Sequence, residues 1–134
     1  ISQLKKLNKF FNFRRKIAGL YNKLFENFDC IQIPNVEKNV RHAYHLYPLL
    51  IDFKKIKVNK LFLFKVFKKN NINLQVHYIP IYRQPFYKKK FNLNYKNFPN
   101  SENFYKKEIS LPIFYNMKKS LVHKVYKIFK NYIY

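Results

Sequence analysis

His77, Tyr78, Tyr82, Arg83 and Gln84 fall close together, within the stretch Gln75-Val76-His77-Tyr78-Ile79-Pro80-Ile81-Tyr82-Arg83-Gln84-Pro85-Phe86-Tyr87. Their chemistry suits a sugar phosphate or a nucleotide. The rings can stack, the hydroxyls and the amide can meet sugar hydroxyls, and the guanidinium can meet a phosphate. A bland reading stands beside this one on residue type alone: His77 as a satisfied structural histidine, and Tyr78, Tyr82 and Tyr87 as rim residues of a core.

Other chemistries find less support. The six acidic residues are scattered, so a pair of catalytic carboxylates is not expected. His42 and His45 are three apart, which on a strand places them on opposite faces, and no third ligand is near in sequence. Cys30 is the sole cysteine. It excludes an internal disulfide and a CxxC site, fits a reducing, cytoplasmic setting, and reads as core beside a strand rather than as a nucleophile. Ser2, Ser101, Ser110 and Ser120 sit in no nucleophile motif. Gly19 is the lone glycine, which excludes glycine-rich phosphate loops. No catalytic, cofactor-binding or metal-ligating residue is assigned in this chain.

A formal net charge of +22 invites a polyanion as partner. Two features weigh against it. Only Arg14, Arg15, Arg41 and Arg83 are arginines, whereas planar readout of phosphates and bases favours arginine over lysine. The lysines also spread along the whole chain with Asn, Ile, Phe and Tyr, residues of A/T-rich codons. Genomic base bias therefore accounts for the charge, leaving only weak, salt-sensitive binding to nucleic acid as a side effect. A basic α/β module binding nucleic acid or another polyanion is the second reading of the chain.

The elements that would position these residues follow from periodicity. The length suits one domain, and an apolar fraction of 48% with 20% aromatics supplies a core. Leu4, Leu7, Phe11, Ala18, Tyr21, Phe25 and Phe28 recur at helical steps, with Arg14 in the missing slot, and predict one long helix over Ser2 to Asp29. At about 40 Å it is long for one small domain, so residues 1–29 read as an interdomain helix and 30–134 as a small α/β domain, with a surface helix covering the local sheet as the alternative for the first segment. Cys30 to Pro34 reads as a short strand. His42 to Phe53 reads as another, which Pro48 should confine to an edge or a bulge. Val58 to Lys69 reads as a helix, and Ile72 to Tyr78 alternates as a half-buried strand ending before Pro80. A loop should then run through Tyr87, and Phe91 to Pro99 reads as a polar connection. A short helix from Ser101 to Lys107, a strand at Ile109 to Pro112 and an amphipathic helix over Ser120 to Tyr132 complete the chain. No apolar run reaches the length of a membrane span. The start, Ile1-Ser2-Gln3-Leu4, is neither a signal peptide nor a methionine start, and the chain reads as a piece of something longer.

The ordered motifs carry a resemblance. Gln3 to Leu7, Arg14 to Ala18, Tyr21 to Leu24, His45 to Asp52 (HLYPLLID), Gln75 to Tyr87 and Ile109 to Met117 (ISLPIFYNM) together resemble the carboxy-terminal part of the DegT/DnrJ/EryC1/StrS family. These are pyridoxal-phosphate-dependent aminotransferases acting on nucleotide-linked keto-sugars. The His77-Tyr78-Ile79-Pro80 wording most resembles the branch that handles a UDP-linked amino-altrose precursor of pseudaminic acid. The resemblance implies the small domain of an aspartate-aminotransferase-like (type I) fold, joined by the long helix to a cofactor domain. It implies a homodimer with sites at the subunit interface, pyridoxal 5'-phosphate as cofactor and glutamate as amino donor. It places the Schiff-base lysine and the aspartate facing the pyridine nitrogen before the matched portion, so this piece alone should not transaminate. His77 and Tyr78 match the family's substrate-facing His-Tyr or His-Phe pair, while Tyr82 stands where many members have histidine.

Overall fold

The computed structural model describes residues 1–133 and is organised around a three-stranded antiparallel sheet. Strands β1 (Ile31–Gln32), β2 (Tyr47–Ile51) and β3 (Glu108–Leu111) lie in that spatial order. Tyr47 pairs with Leu111, Pro48 with Ser110, Leu49 with Ile109 and Leu50 with Glu108. The pleat therefore gives the sheet two unlike faces. Tyr47, Leu49, Ile51, Ile109 and Leu111 face the core and are buried. Pro48, Leu50, Glu108 and Ser110 share the opposite face.

The central position of β2 corrects the expectation that Pro48 limits its strand to an edge, and residues 42–46 are loop rather than strand. The hydrogen bonds show why proline is tolerated. Ser110, directly across from Pro48, spends both its N–H and its C=O on Gln75, at 2.8 and 3.3 Å. Pro48 and Ser110 thus form a non-hydrogen-bonded pair, and the proline nitrogen faces the other side of β2. There β1 pairs only with Leu50 and Ile51, so no ladder bond is missing.

Six α-helices accompany the sheet among the described residues. The expected 2–29 helix is divided: α1 (Ser2–Lys5) buries nothing, Lys6 turns the chain, and α2 runs Leu7–Phe25. Ile17, Ala18, Tyr21 and Phe25 of α2 lie in the core, whereas Leu4 and Leu7 stay exposed. Helix α3 (Lys60–Lys69) begins at Asn59, whose side chain accepts from the Phe62 N–H at 2.9 Å. Helix α6 (Lys119–Ile133) buries Val122, Val125, Ile128, Phe129 and Ile133. Phe129 joins the three helices, with ring centroids 5.5 Å from Phe25 of α2 and 4.8 Å from Phe67 of α3. Two shorter helices contradict expected boundaries. Pro85 and Pro99 are not loop residues but the first residues of α4 (Pro85–Phe91) and α5 (Pro99–Lys107). Proline's fixed φ and missing N–H are harmless at that position. Ile72 and Leu74 are buried as the alternation predicts, but the segment is no strand. It makes one bridge, Gln75 to Ser110, and Tyr78 is 71% exposed.

Arg14, the polar residue in the apolar stripe of α2, has a structural use. Its Nη1 donates to the carbonyls of Tyr44 (3.1 Å), His45 (2.9 Å) and Ile113 (3.0 Å). Tyr44 is left-handed at φ 47, a conformation that a bulky residue keeps only when held. Arg14→Met should lower stability by about 2 kcal/mol, the scale of a hydrogen bond from a charged group, measured by urea denaturation of the full-length protein. Lys at this position should recover only part of it, since one ammonium lacks the reach of the guanidinium.

Candidate functional site

Glu108 and Ser110 are two residues apart on β3, so both point to the sheet's second face. Neither is more than marginally exposed, and they hold each other: the Ser110 hydroxyl donates to Glu108 Oε1 at 2.5 Å. His77 completes the group from the neighbouring segment. Its Nδ1 lies 2.8 Å from Ser110 Oγ, and its backbone N–H donates to Glu108 Oε2 at 3.1 Å. The pairing of Gln75 with Ser110 sets this up. Continued by two residues, that antiparallel register brings His77 opposite Glu108. The Glu108 carboxylate takes the His77 N–H that a regular ladder would give to a carbonyl. Lys60 is a nearby counter-charge: burial pushes its ammonium down and the Glu108 carboxylate works in the opposite direction. Its Nζ donates to the Tyr105 carbonyl at 2.8 Å.

One cavity adjoins this group and a second adjoins Tyr78 next to it. The first, of about 350 Å³, is walled by His77, Tyr78, Arg14, His45, Asn73 and Gln75 among others. The second, of about 550 Å³, lies on the other side of Tyr78 and includes Ile81, Tyr82, Ser101, Phe104 and Tyr105. Tyr78 thus borders both, its ring edge-on to His77 at 4.7 Å. Tyr82 is 7% exposed and stacks flat on Phe98 with centroids 4.3 Å apart. Its hydroxyl is buried without a partner at hydrogen-bond geometry. Burial, with the Glu102 carboxylate close by, pushes that hydroxyl above the ordinary phenol range.

Arg83 is engaged within the chain. Its Nε and Nη2 bond the two oxygens of Glu102, both at 2.6 Å, and its guanidinium lies over the rings of Tyr95 and Tyr105 at 5.4 and 5.5 Å. The structure therefore pairs the expected phosphate ligand with a carboxylate, and Nη1 is the guanidinium nitrogen left outside that fork. Gln84 is half-buried at the start of α4, where its carbonyl accepts from Lys88 N–H at 2.9 Å. Of the five expected site residues, His77, Tyr78 and Tyr82 share cavity walls, while Arg83 and Gln84 line neither of the two cavities.

The Arg83 guanidinium holds the Glu102 carboxyl below the usual carboxylate range, against the opposing effect of burial. A carboxyl whose folded pKa is lowered contributes stability that is present at neutral pH. That contribution is lost as pH falls through the ordinary range and on to the folded value. Glu102→Gln should destabilise the domain at about pH 7 and flatten its loss of stability towards about pH 4, read as melting temperature against pH.

Sequence reasoning singled out His77 but missed Glu102, Glu108 and the use of Ser110. The available signal was the alternation Glu108-Ile109-Ser110-Leu111, which puts two polar residues on one face of a strand. His42 and His45 lie in the loop before β2 and both line a separate cavity of about 470 Å³. Among the described residues, no group of three His, Cys, Asp or Glu side chains converges as a metal site. Burial pushes the Cys30 thiol up, away from thiolate reactivity.

The chain belongs to the DegT/DnrJ/EryC1/StrS aminotransferase family, whose model matches residues 1–130. It is 41% identical over 115 residues to a UDP-4-amino-4,6-dideoxy-N-acetyl-beta-L-altrosamine transaminase of Campylobacter jejuni, covering 84% of this chain and 29% of that protein. It is 36% identical over 126 residues to the spore coat polysaccharide biosynthesis protein SpsC of Bacillus subtilis, covering 93% and 32%. A solved structure of Helicobacter pylori PseC, described as an aminotransferase involved in the biosynthesis of pseudoaminic acid, superposes with a TM-score of 0.84 at 30% identity, covering 98% of this chain and 36% of that one. The α/β fold is thus that of roughly a third of a sugar aminotransferase, and the chain spans about a third of the length of the curated relatives it matches.

The family implies pyridoxal phosphate, and the residues present do not by themselves fit it. The cofactor needs a free lysine amine and a carboxylate for its pyridine nitrogen. Here the buried carboxylates Glu102 and Glu108 are held by Arg83, and by Ser110 and His77, so neither is free for that nitrogen.

Proposed function

We propose that this chain is the substrate-facing small domain of a sugar-nucleotide aminotransferase, acting in a longer protein that transfers an amino group from glutamate to a UDP-linked keto-sugar. Membership of the family over residues 1–130 is the observation that carries the reading. The geometry agrees with it: His77 and Tyr78 stand on the wall of a cavity at one edge of the sheet. In this reading Tyr78 and Tyr82 shape the sugar site. Arg83 keeps the segment in place through Glu102, offering Nη1 to a phosphate, and Gln84 borders the same end. The cofactor and its Schiff-base lysine sit in a domain outside this chain, reached through residues 1–29, with 30–134 closing over it. Ile79, Ile81, Phe86 and Phe91 are large and exposed, and we read them as covered by that domain or by the second subunit of a homodimer. A reducing, cytoplasmic setting suits the single free thiol, and no helix among the described residues is long and apolar enough to cross a membrane.

The test is amination by the full-length protein of UDP-linked 4-keto-sugars with glutamate, followed by mass spectrometry of the product. An amino-sugar nucleotide supports the reading; no product from any keto-sugar, in protein that carries its cofactor, overturns it. The polyanion reading would gain from affinity for one RNA or DNA sequence that survives raised salt. The family match leaves it no longer favoured.

A further inference from the structure

Glu108 and Ser110 form a chain of hydrogen bonds that ends on one nitrogen of His77, and its direction can be worked out. Glu108 accepts a backbone N–H from His77 through Oε2, which requires an acceptor at that oxygen. The Lys60 ammonium is its nearby counter-charge. A carboxylate has no proton to give, so the hydroxyl proton of Ser110 points to Oε1. Ser110 Oγ then presents lone pairs to His77 Nδ1 at 2.8 Å, and Nδ1 must be the protonated nitrogen. In the neutral ring this leaves Nε2 as an acceptor, and among the described residues Nε2 has no partner.

We propose that Ser110 and Glu108 are positioning residues that fix the Nδ1–H tautomer of His77, so that Nε2 accepts a hydrogen bond from a hydroxyl of the sugar nucleotide. The ligand class rests on the proposed function; the tautomer rests only on the hydrogen bonds. Burial adds to the case. Glu108 is fully buried and Ser110 is 3% exposed, so water cannot compete for either bond, and a buried carboxylate here is costly unless it is used.

The experiment uses the full-length protein labelled with 15N-histidine, with His77 assigned by comparison with His77→Gln. Long-range 1H–15N correlation at about pH 8, above the ordinary histidine range, reads the neutral tautomer. The expected result is Nδ1–H for His77 in the unaltered protein and loss of that signature in Ser110→Ala. The same variant should raise KM for the nucleotide sugar by about 10-fold, the effect of one misdirected hydrogen bond, with a smaller change in kcat. Ser110→Thr keeps the hydroxyl and should restore both. A His77 found as Nε2–H, or a tautomer and KM unmoved by Ser110→Ala, overturns the proposal. Should His77→Ala leave turnover untouched, the assignment of His77 to the substrate falls instead, and the tautomer measurement still decides whether the relay exists.

Discussion

His77→Ala in the full-length protein is expected to lower kcat/KM for the nucleotide sugar by roughly 5- to 150-fold, the consequence of leaving a substrate hydroxyl unpaired at about 1–3 kcal/mol. Cofactor absorbance should be unchanged, because nothing about His77 touches a lysine or carboxylate available to the cofactor. The fold should also survive. Removing the ring leaves Ser110 still donating to Glu108, and the backbone N–H of residue 77 still bonds that carboxylate. The melting temperature is therefore the control. A variant that loses turnover and also melts early would mark the histidine as structural, and equal turnover would remove it from the site. His77→Gln separates the two roles further, since its amide oxygen can accept a hydrogen bond but cannot reach both Ser110 and the cavity as the ring does.

The parts of this structure that sequence could foretell are those whose determinants are local. The apolar stripe of α6 and the second half of the stripe of α2 each lie within a few turns of chain, and there the helices follow their patterns, whereas the expected helix breaks at Lys6 and ends at Phe25. The starts of α4 and α5 at Pro85 and Pro99 are local signals that the sequence reading passes over, but the errors at Pro48, over Ile72 to Tyr78 and at the site share one physical source, a partner distant in sequence. Pro48 reads as an edge residue until its neighbour Ser110 is seen bonded to Gln75 instead. Ile72 to Tyr78 alternates like a strand, but β3 takes up only its Gln75. The site shows the same limit. His77 stands out as a polar residue in an aromatic stretch, yet its partners Glu108 and Ser110 lie 31 and 33 residues away. Arg83 offers a free guanidinium on paper, and Glu102, 19 residues on, occupies it. Charge in a sequence says what a side chain can bind, and only the fold says whether it is already bound.

The long helix tests how far residues 1–29 belong to this domain. Phe25 is fully buried at the far end of α2, with ring centroids 6.1 Å from Tyr21, 6.0 Å from Phe28, 5.8 Å from Tyr126 and 5.5 Å from Phe129. It ties α2 to α6 above the core face of the sheet. Truncating it removes the ring's transfer energy and leaves a cavity that four neighbouring rings cannot collapse into freely, so Phe25→Ala should cost about 3–5 kcal/mol. Leu7→Ala, at a position 56% exposed near the other end of the same helix, should cost well under 1 kcal/mol if nothing else covers it. Hydrogen exchange in the full-length protein, followed over peptides from β2 and α6, reads the difference locally. Phe25→Ala should speed exchange there by roughly 150- to 4,000-fold, and Leu7→Ala should leave it unaltered. If Leu7→Ala instead slows turnover or loosens the rest of the protein, the exposed start of α2 has its partner outside this domain, as a helix bridging to the proposed cofactor domain would.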